Sequence, residues 1–269
     1  MADTSPVPDY MAGLRLDGRG MLVFGAGQGI GRQAAHALRQ AGANIVCIDK
    51  NEAAARQVAG EVEGHAIAAD ITRRDAVEKC FETALGMLPN GIGGIVDIVG
   101  EARLVRLADF TDATWDSQFD IVLRHAYLVA QIGGRILKQG GGGAITFVGS
   151  ISGRRTLSKQ ILYGPAKAAL HHLVRSASIE LSGDRVRINA VAPGFVRTPR
   201  LVGRIDLEAW TKIERAIPLG RAAQPHEIAR VLLFLMSDLA GYVTGQVVGM
   251  DGGLANVTPL PVLFENINE

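Results

Sequence analysis

The chain has 269 residues, 48% of them hydrophobic and 20% charged, with a formal net charge of +1. That balance gives no electrostatic case for nucleic acid or an anionic membrane surface, and the length suits one α/β domain. The two cysteines, Cys47 and Cys80, exclude a disulfide framework, no Cys/His group has metal-site spacing, and no apolar run is long enough to span a bilayer.

Residues 1–18 read as a polar tail that lacks the basic and apolar regions of a signal peptide, which points to a cytoplasmic protein. Met21–Phe24 is a short apolar strand running into Gly25-Ala26-Gly27-Gln28-Gly29-Ile30-Gly31, and a helical pattern then continues to Ala41. Strand, glycine-rich turn and helix together make a dinucleotide site, in which the glycines admit a pyrophosphate and the helix N-terminus favours its charge. The second strand, Asn44–Ile48, ends in Asp49, twenty residues after Gly29 (49 − 29 = 20), the spacing of an acid that binds the adenosine ribose hydroxyls. A carboxylate there repels a 2′-phosphate, so NAD(H) is expected over NADP(H). Lys50, adjacent to it, reads first as a solvated lysine and second as a further cofactor contact.

The alternation continues. Helices are expected near 52–63, 74–88, 111–138, 163–181, 206–217 and 225–237, and strands near 65–69, 94–99, 144–148, 186–191 and 246–250. Such β-α alternation predicts a parallel sheet covered on both faces, with ligands at the carboxyl ends of the strands. Gly25–Gly31, Asp49, Asp70, Gly100, Ser150 and 193–198 all fall at those ends.

The stretch from Ser150 to Lys167 holds the chemistry. Tyr163 and Lys167, spaced i, i+4, share one helix face, and Ser150 precedes the tyrosine by thirteen residues (163 − 150 = 13) at the end of a strand. A free tyrosine titrates near pH 10. An ammonium at roughly 4 Å would favour its phenolate by about 4 kcal/mol at an effective dielectric near 20.

Over about residues 14–254 these motifs resemble the short-chain dehydrogenase/reductase family. The resemblance is carried by Gly25-x-x-x-Gly29-x-Gly31, Asp49, Asp70, Ser150, Tyr163-x-x-x-Lys167, Asn189, Pro193-Gly194 and Asp251-Gly252-Gly253. It implies a single doubly wound Rossmann domain over 1–269, with a seven-stranded parallel sheet and helices on both faces. It also implies a substrate-binding loop at about 198–220, a C-terminal tail at 254–269, and a homo-oligomer, dimer or tetramer. The reaction it implies is metal-free hydride transfer between a nicotinamide and a small alcohol or ketone. By resemblance, Tyr163 is the general acid/base, Ser150 binds the substrate oxygen, and Lys167 binds the nicotinamide ribose and lowers the tyrosine pKa. Thr198 and the Val196 backbone would hold the carboxamide, Asp70 and Ile71 would flank the adenine, and Gln28, Ile30, Val99, Gly100, Pro193 and Gly194 complete the cofactor contacts.

The chain departs from the family at Phe24, usually Thr; at Asp97-Ile98-Val99-Gly100, usually Asn-Asn-Ala-Gly; and at Val122, usually an Asn that bends the long helix. His125 is a candidate substitute for that Asn, and reads more readily as an interface histidine. His171 and His172 read as surface or interface residues. Arg154, Arg155, Arg197, Arg200 and Arg204 read as solvated charges or inter-subunit salt bridges, and otherwise as a carboxylate or phosphopantetheine site. Leu201, Val202, Ile205 and Trp210 suit a pocket wall, Leu170, Leu173, Val174 and Ala177 suit a subunit interface, and Leu260–Phe264 suits an interface or a neighbour's lid. The reading is an NAD(H)-dependent secondary-alcohol/ketone oxidoreductase. The alternatives are an NADPH-dependent 3-oxoacyl thioester reductase and a catalytically silent dinucleotide-binding protein.

Overall fold

Residues 4–257 are described by the computed structural model. Seven parallel strands form one sheet: β1 (Gly20–Phe24), β2 (Asn44–Asp49), β3 (His65–Ala68), β4 (Ile92–Asp97), β5 (Gly143–Val148), β6 (Val186–Pro193) and β7 (Val247–Met250). Their spatial order is β3-β2-β1-β4-β5-β6-β7. The chain thus moves outward from β1 to one edge, returns, and builds to the other edge. The reversal beside β1 opens a crevice at the carboxyl ends of β1 and β4.

Side-chain alternation builds the core. Along β1, Met21 and Val23 enter the apolar cluster on one face, and Leu22 and Phe24 enter the cluster on the other. In β2, Ile45 and Cys47 divide from Val46 and Ile48 in the same way. Phe24 is fully buried and tilts against Phe81, so the departure from Thr supplies core volume. One face is covered by α1 (Gly29–Gln40) and α9 (Pro225–Met236), the other by α3 (Arg74–Met87), α5 (His125–Gln139) and α6 (Tyr163–Ser182). The remaining helices are α2 (Glu52–Glu61), α4 (Asp112–Phe119), α7 (Pro199–Val202) and α8 (Leu207–Ala216). Cys47 and Cys80 are buried free thiols, and burial pushes them up to about 12 and about 11. No helix of the described residues is long and apolar enough to cross a membrane.

Several expectations are corrected. The fourth strand runs from Ile92 to Asp97, two residues earlier than the periodicity suggested, because Gly93 and Gly94 are accommodated within it. Asp97 is therefore a strand-end residue. The long helix over 111–138 is interrupted: a π-helical segment at Asp120–Arg124 separates α4 from α5. Val122 lies within it, fully buried, so the π segment forms without a side-chain amide at that position. The N-terminal stretch is not wholly a tail, since Leu16 is buried in the core and its amide donates to Ala41 at 2.8 Å. On α6, Leu170 and Val174 are core residues with Leu173 and Ala177 packed against them, so this stripe is spent inside the subunit. Leu260–Phe264 lies outside the described residues.

Candidate active site

The glycine loop is tight because backbone meets backbone. A Cβ on Gly31 would stand 1.9 Å from the Gly25 carbonyl oxygen, so only glycine lets α1 start this close to β1. Gly25 and Gly29 take φ values of +78° and +57°, where a side chain would be strained. Gln28 precedes α1 with an extended backbone and gives no side-chain cap, while its carbonyl accepts from the Gly31 amide at 3.1 Å. Ile30 is buried beneath the loop.

Asp49, at the end of β2, sits beside this loop. Its Oδ2 accepts from the Gly27 amide and its Oδ1 from the Asn51 amide, both at 3.0 Å. Lys50 is exposed, and its charge acts on Glu101 across the cleft. Asp70 accepts from the Thr72 amide at 3.1 Å and from its hydroxyl at 2.8 Å. Ile71 is buried in the core cluster. Pro193 ends β6, and the Gly194 amide donates to Met250 at 3.0 Å. Val196 is buried, and Thr198 caps α7 through Leu201 at 3.4 Å. The Thr198 methyl lies 3.4 Å from where a Gly29 Cβ would be, so the loop after β6 closes against the glycine loop. These residues fit a dinucleotide: an uncapped helix N-terminus for a diphosphate, and a carboxylate poised for ribose hydroxyls.

Ser150 follows β5 and opens a short 3₁₀ turn, its Oγ accepting from the Ser152 amide at 3.1 Å. Tyr163 is the first residue of α6, and Lys167 lies one turn on. The Lys167 ammonium donates to the Val148 carbonyl at 2.7 Å and stands 5.8 Å from the Tyr163 ring centroid. Burial is the largest influence on Lys167 and lowers it to about 8, against the opposing pull of Asp97. Burial also raises Tyr163, while the Ser150 hydrogen bond and the Arg200 charge lower it. The Lys167 ammonium is bonded to Val148 rather than to the phenol, and the Arg200 charge also lowers Tyr163.

Sequence reasoning missed several residues around this centre. His171 is buried rather than superficial, and only His172 is exposed. His171 Nε2 faces the Ser150 amide at 3.4 Å, in space left by glycines: a Cβ on Gly149 would come within 2.3 Å of Nε2, and one on Gly153 within 2.6 Å of the ring. Burial is the main cause of its fall to about 4, so it is neutral and can accept. The signal was two glycines flanking the serine opposite a histidine two turns into α6. His125 is likewise buried, 3.3 Å from Asp97, and not an exposed interface residue. The loss of the family's amides leaves Asp97 Oδ1 to accept from the Val99 amide at 2.9 Å, which fixes the turn carrying Val99 and Gly100. Asn189 bonds Val243 and Gln246 and ties β6 to the chain entering β7.

The five arginines are tied down within the chain. Arg197 pairs with Glu214 at 2.9 Å and stacks on Trp210, and Arg204 pairs with Glu101 at 3.1 Å. Arg154 donates to Val247, Arg155 to Ala255 and Arg200 to Gly100, each through a backbone carbonyl. Trp210 is therefore a buried stacking partner, and Val202 is half exposed. A cavity of about 380 Å³ is lined by Ile151, Leu157, Phe195, Ile213 and Leu254, with Arg155 and Lys212 also on its wall; Ser150, Tyr163 and Lys167 do not line it. Among the described residues no acidic, histidine or cysteine cluster is arranged to hold a metal ion.

Residues 25–255 match the family model described as enoyl-(acyl carrier protein) reductase. The chain is 36% identical to galactitol 2-dehydrogenase (L-tagatose-forming) of Cereibacter sphaeroides, over 91% of this chain and 98% of that protein. It is 32% identical to a 3-oxoacyl-[acyl-carrier-protein] reductase of Thermotoga maritima, over 90% and 99% respectively. Among solved structures, a 7α-hydroxysteroid dehydrogenase complexed with NADH and 7-oxo glycochenodeoxycholic acid superposes with a TM-score of 0.86 at 30% identity, covering 90% of this chain and 96% of that one. With this breadth of match, and a doubly wound sheet that carries its glycine loop, acid and Ser-Tyr-Lys group at one end, the chain belongs to the short-chain dehydrogenase/reductase family and is an oxidoreductase acting on CH–OH groups.

Proposed function

We propose that the protein interconverts a secondary alcohol and a ketone with NAD(H), using Tyr163, Ser150 and Lys167. The observation that carries this reading is the meeting of three side chains at one end of the sheet: Ser150, following β5, lowers the titration of the buried Tyr163 phenol at the start of α6, and the buried Lys167 ammonium lies one turn on, 5.8 Å from the Tyr163 ring centroid. When bound, a nicotinamide supplies the hydride acceptor or donor. The chain's own residues supply the rest. In oxidation, Tyr163 takes the hydroxyl proton, Ser150 holds the substrate oxygen, and Lys167 offers a fixed positive charge.

The preference for NAD(H) rests on Asp49, whose carboxylate is held beside the glycine loop by two backbone amides. A 2′-phosphate there would face that charge. A second reading, NADPH-dependent reduction of a 3-oxoacyl thioester, is favoured by the Thermotoga maritima relative. Two of the arginines it would use on a carrier, Arg197 and Arg204, are paired with Glu214 and Glu101 within this chain. The cavity that begins at Ile151, the residue after Ser150, is mostly apolar with Arg155 and Lys212 on its wall, which favours a substrate with an apolar body. The test is to incubate the protein with NAD⁺ or NADP⁺ and a panel of cyclic, aromatic and polyol secondary alcohols, and in parallel with NADH or NADPH and a 3-oxoacyl thioester, reading reduced nicotinamide absorbance. The expected result is turnover with NAD⁺ and the cyclic or aromatic alcohols. Turnover only with NADPH and 3-oxoacyl thioesters would replace this reading with the second.

A further inference from the structure

Ser150 sits in a turn whose backbone and side-chain polar groups all have partners. Its carbonyl accepts from the Gly153 amide at 3.0 Å, and its Oγ accepts from the Ser152 amide at 3.1 Å. Both bonds lie within the turn, so they fix its shape and not its place. The Ser150 amide instead donates out of the turn, to His171 Nε2 at 3.4 Å. His171 is 2% exposed and belongs to α6. It follows Lys167 by four residues (171 − 167 = 4) and Tyr163 by eight (171 − 163 = 8), so the three side chains form one stripe along the helix. Lys167 donates to the Val148 carbonyl at 2.7 Å. Consecutive turns of α6 therefore hold the chain on either side of Gly149.

The serine turn is shaped around the imidazole. A Cβ on Gly149 would stand 2.3 Å from Nε2, and one on Gly153 would stand 2.6 Å from Cε1; at both positions the ring is the nearest group. Neither glycine has a positive φ, so room for the ring, and not an unusual backbone conformation, calls for glycine there. Two glycines around a serine also leave the backbone free to pivot. The bond from the Ser150 amide to a ring fixed on α6 removes that freedom. It also sets the tautomer: an Nε2 that accepts carries no proton, so the neutral ring is protonated on Nδ1. Burial, and then the charges of Lys167 and Arg175 on α6 and of Arg154 in the segment after Ser150, keep the ring from gaining a second proton until about pH 4.

We propose that His171 is the positioning residue for Ser150: its Nε2 accepts from the serine amide and so refers the serine hydroxyl to the same rigid helix that carries Tyr163 and Lys167. The inference deepens the reaction proposed above and rests on it for its catalytic meaning. Ser150 lowers the titration of Tyr163, so a displaced hydroxyl is felt at the group that moves the proton. His171→Leu keeps an apolar side chain in the slot and removes the acceptor. His171→Gln brings an amide oxygen to about the reach of Nε2 and restores it. A ring that served only to fill space would be replaced equally well by either.

The test compares the native chain with both variants. Long-range proton–nitrogen NMR of the native chain at neutral pH should show His171 protonated on Nδ1 and bare at Nε2, with His171→Gln assigning the signal. His171→Leu should lower kcat for alcohol oxidation at least about tenfold, the scale of a small misplacement of a reacting group, and leave NADH affinity by fluorescence within about twofold. His171→Gln should retain kcat within about threefold of native. Exchange of the Ser150 amide proton should quicken at least about tenfold in His171→Leu and stay near native in His171→Gln. A proton on Nε2 in the native chain, a native kcat in His171→Leu, or equal losses in the two variants overturns the proposal. If His171→Leu does not fold, the native tautomer and the kcat of His171→Gln decide. Tautomer and amide exchange need no substrate. A native chain that turns over no alcohol therefore overturns the reaction reading, and the exchange comparison alone then decides whether His171 holds the serine turn.

Discussion

The NAD(H) reading proposed above rests on Asp49, whose two carboxylate oxygens accept from the Gly27 and Asn51 amides. Asp49→Ser should reduce kcat/KM for NAD⁺ at least about tenfold and raise it for NADP⁺, since the substitution removes charged hydrogen bonds to the ribose and the repulsion of a phosphate. A native preference for NADP⁺ would show that Asp49 has been misassigned. Tyr163→Phe should lower kcat more than about a hundredfold and leave NAD⁺ affinity within about twofold, read by turnover and by NADH fluorescence. His171 makes a prediction about stability. Its folded pKa is about 4 against an ordinary 6.5, so between those values the unfolded chain binds a proton that the folded chain refuses. Stability is then complete above about pH 6.5 and declines as the pH falls toward 4. His171→Leu should flatten the melting temperature over that window, measured by circular dichroism. Glu61 and Glu227, held at about 2 by hydrogen bonds from His36 and Arg221 respectively, lose their contribution only at lower pH, so their effect is separable.

Between elements, the closest approach is that of α1 to the turn after β1. Gly31→Ala would drive a methyl into the Gly25 carbonyl at 1.9 Å. The helix cannot yield without opening its packing on α9, so a loss of about 3 kcal/mol or more is expected, read from the urea midpoint. Normal stability in this variant would mean that the loop has slack. The same element scale explains what could be read in advance. The strand–glycine–helix unit, Asp49 and the Tyr163–Lys167 spacing were legible because each is local: a few residues fix a turn, a strand end or a helix face. The Asp97–His125 contact and the His171–Ser150 contact were not, because each joins residues from separate elements whose adjacency arises only when the sheet closes. Asp97 is further obscured because the periodicity places the fourth strand at 94–99, which puts Asp97 inside it rather than at its end. The π segment was invisible because a surplus residue in a helix leaves no mark in composition.

For the molecule as a whole, the parallel sheet gathers its functional candidates at one end and leaves other surfaces free for association. The stripe on α6 that suggested an interface is used in the core, so the case for assembly moves to α4 and α5. There Trp115 stacks on Phe119 at 4.4 Å with Phe110 beside it, and Trp115 and Tyr127 remain 45% and 42% exposed. Aromatic groups held in this way on an outer face are expected to be covered by a second copy. Sedimentation should give a species larger than one chain at micromolar concentration, and Trp115→Glu combined with Tyr127→Glu should reduce it. A native monomer at that concentration would remove the argument.

The π segment at Asp120–Arg124 has one more consequence. Each helical residue turns the chain by about 100°, so the surplus position acts as an angular offset between α4 and everything after it. Deleting one residue there would regularise the helix while rotating one half against the other. If α5 stayed seated on the sheet, Trp115 and its stack would swing around the axis. If α4 stayed fixed, His125 would turn away from Asp97. The aromatic outer face and the buried Asp97–His125 pair are thus phased by a single residue, and shortening the helix by one residue should reduce the sedimenting assembly or break that pair.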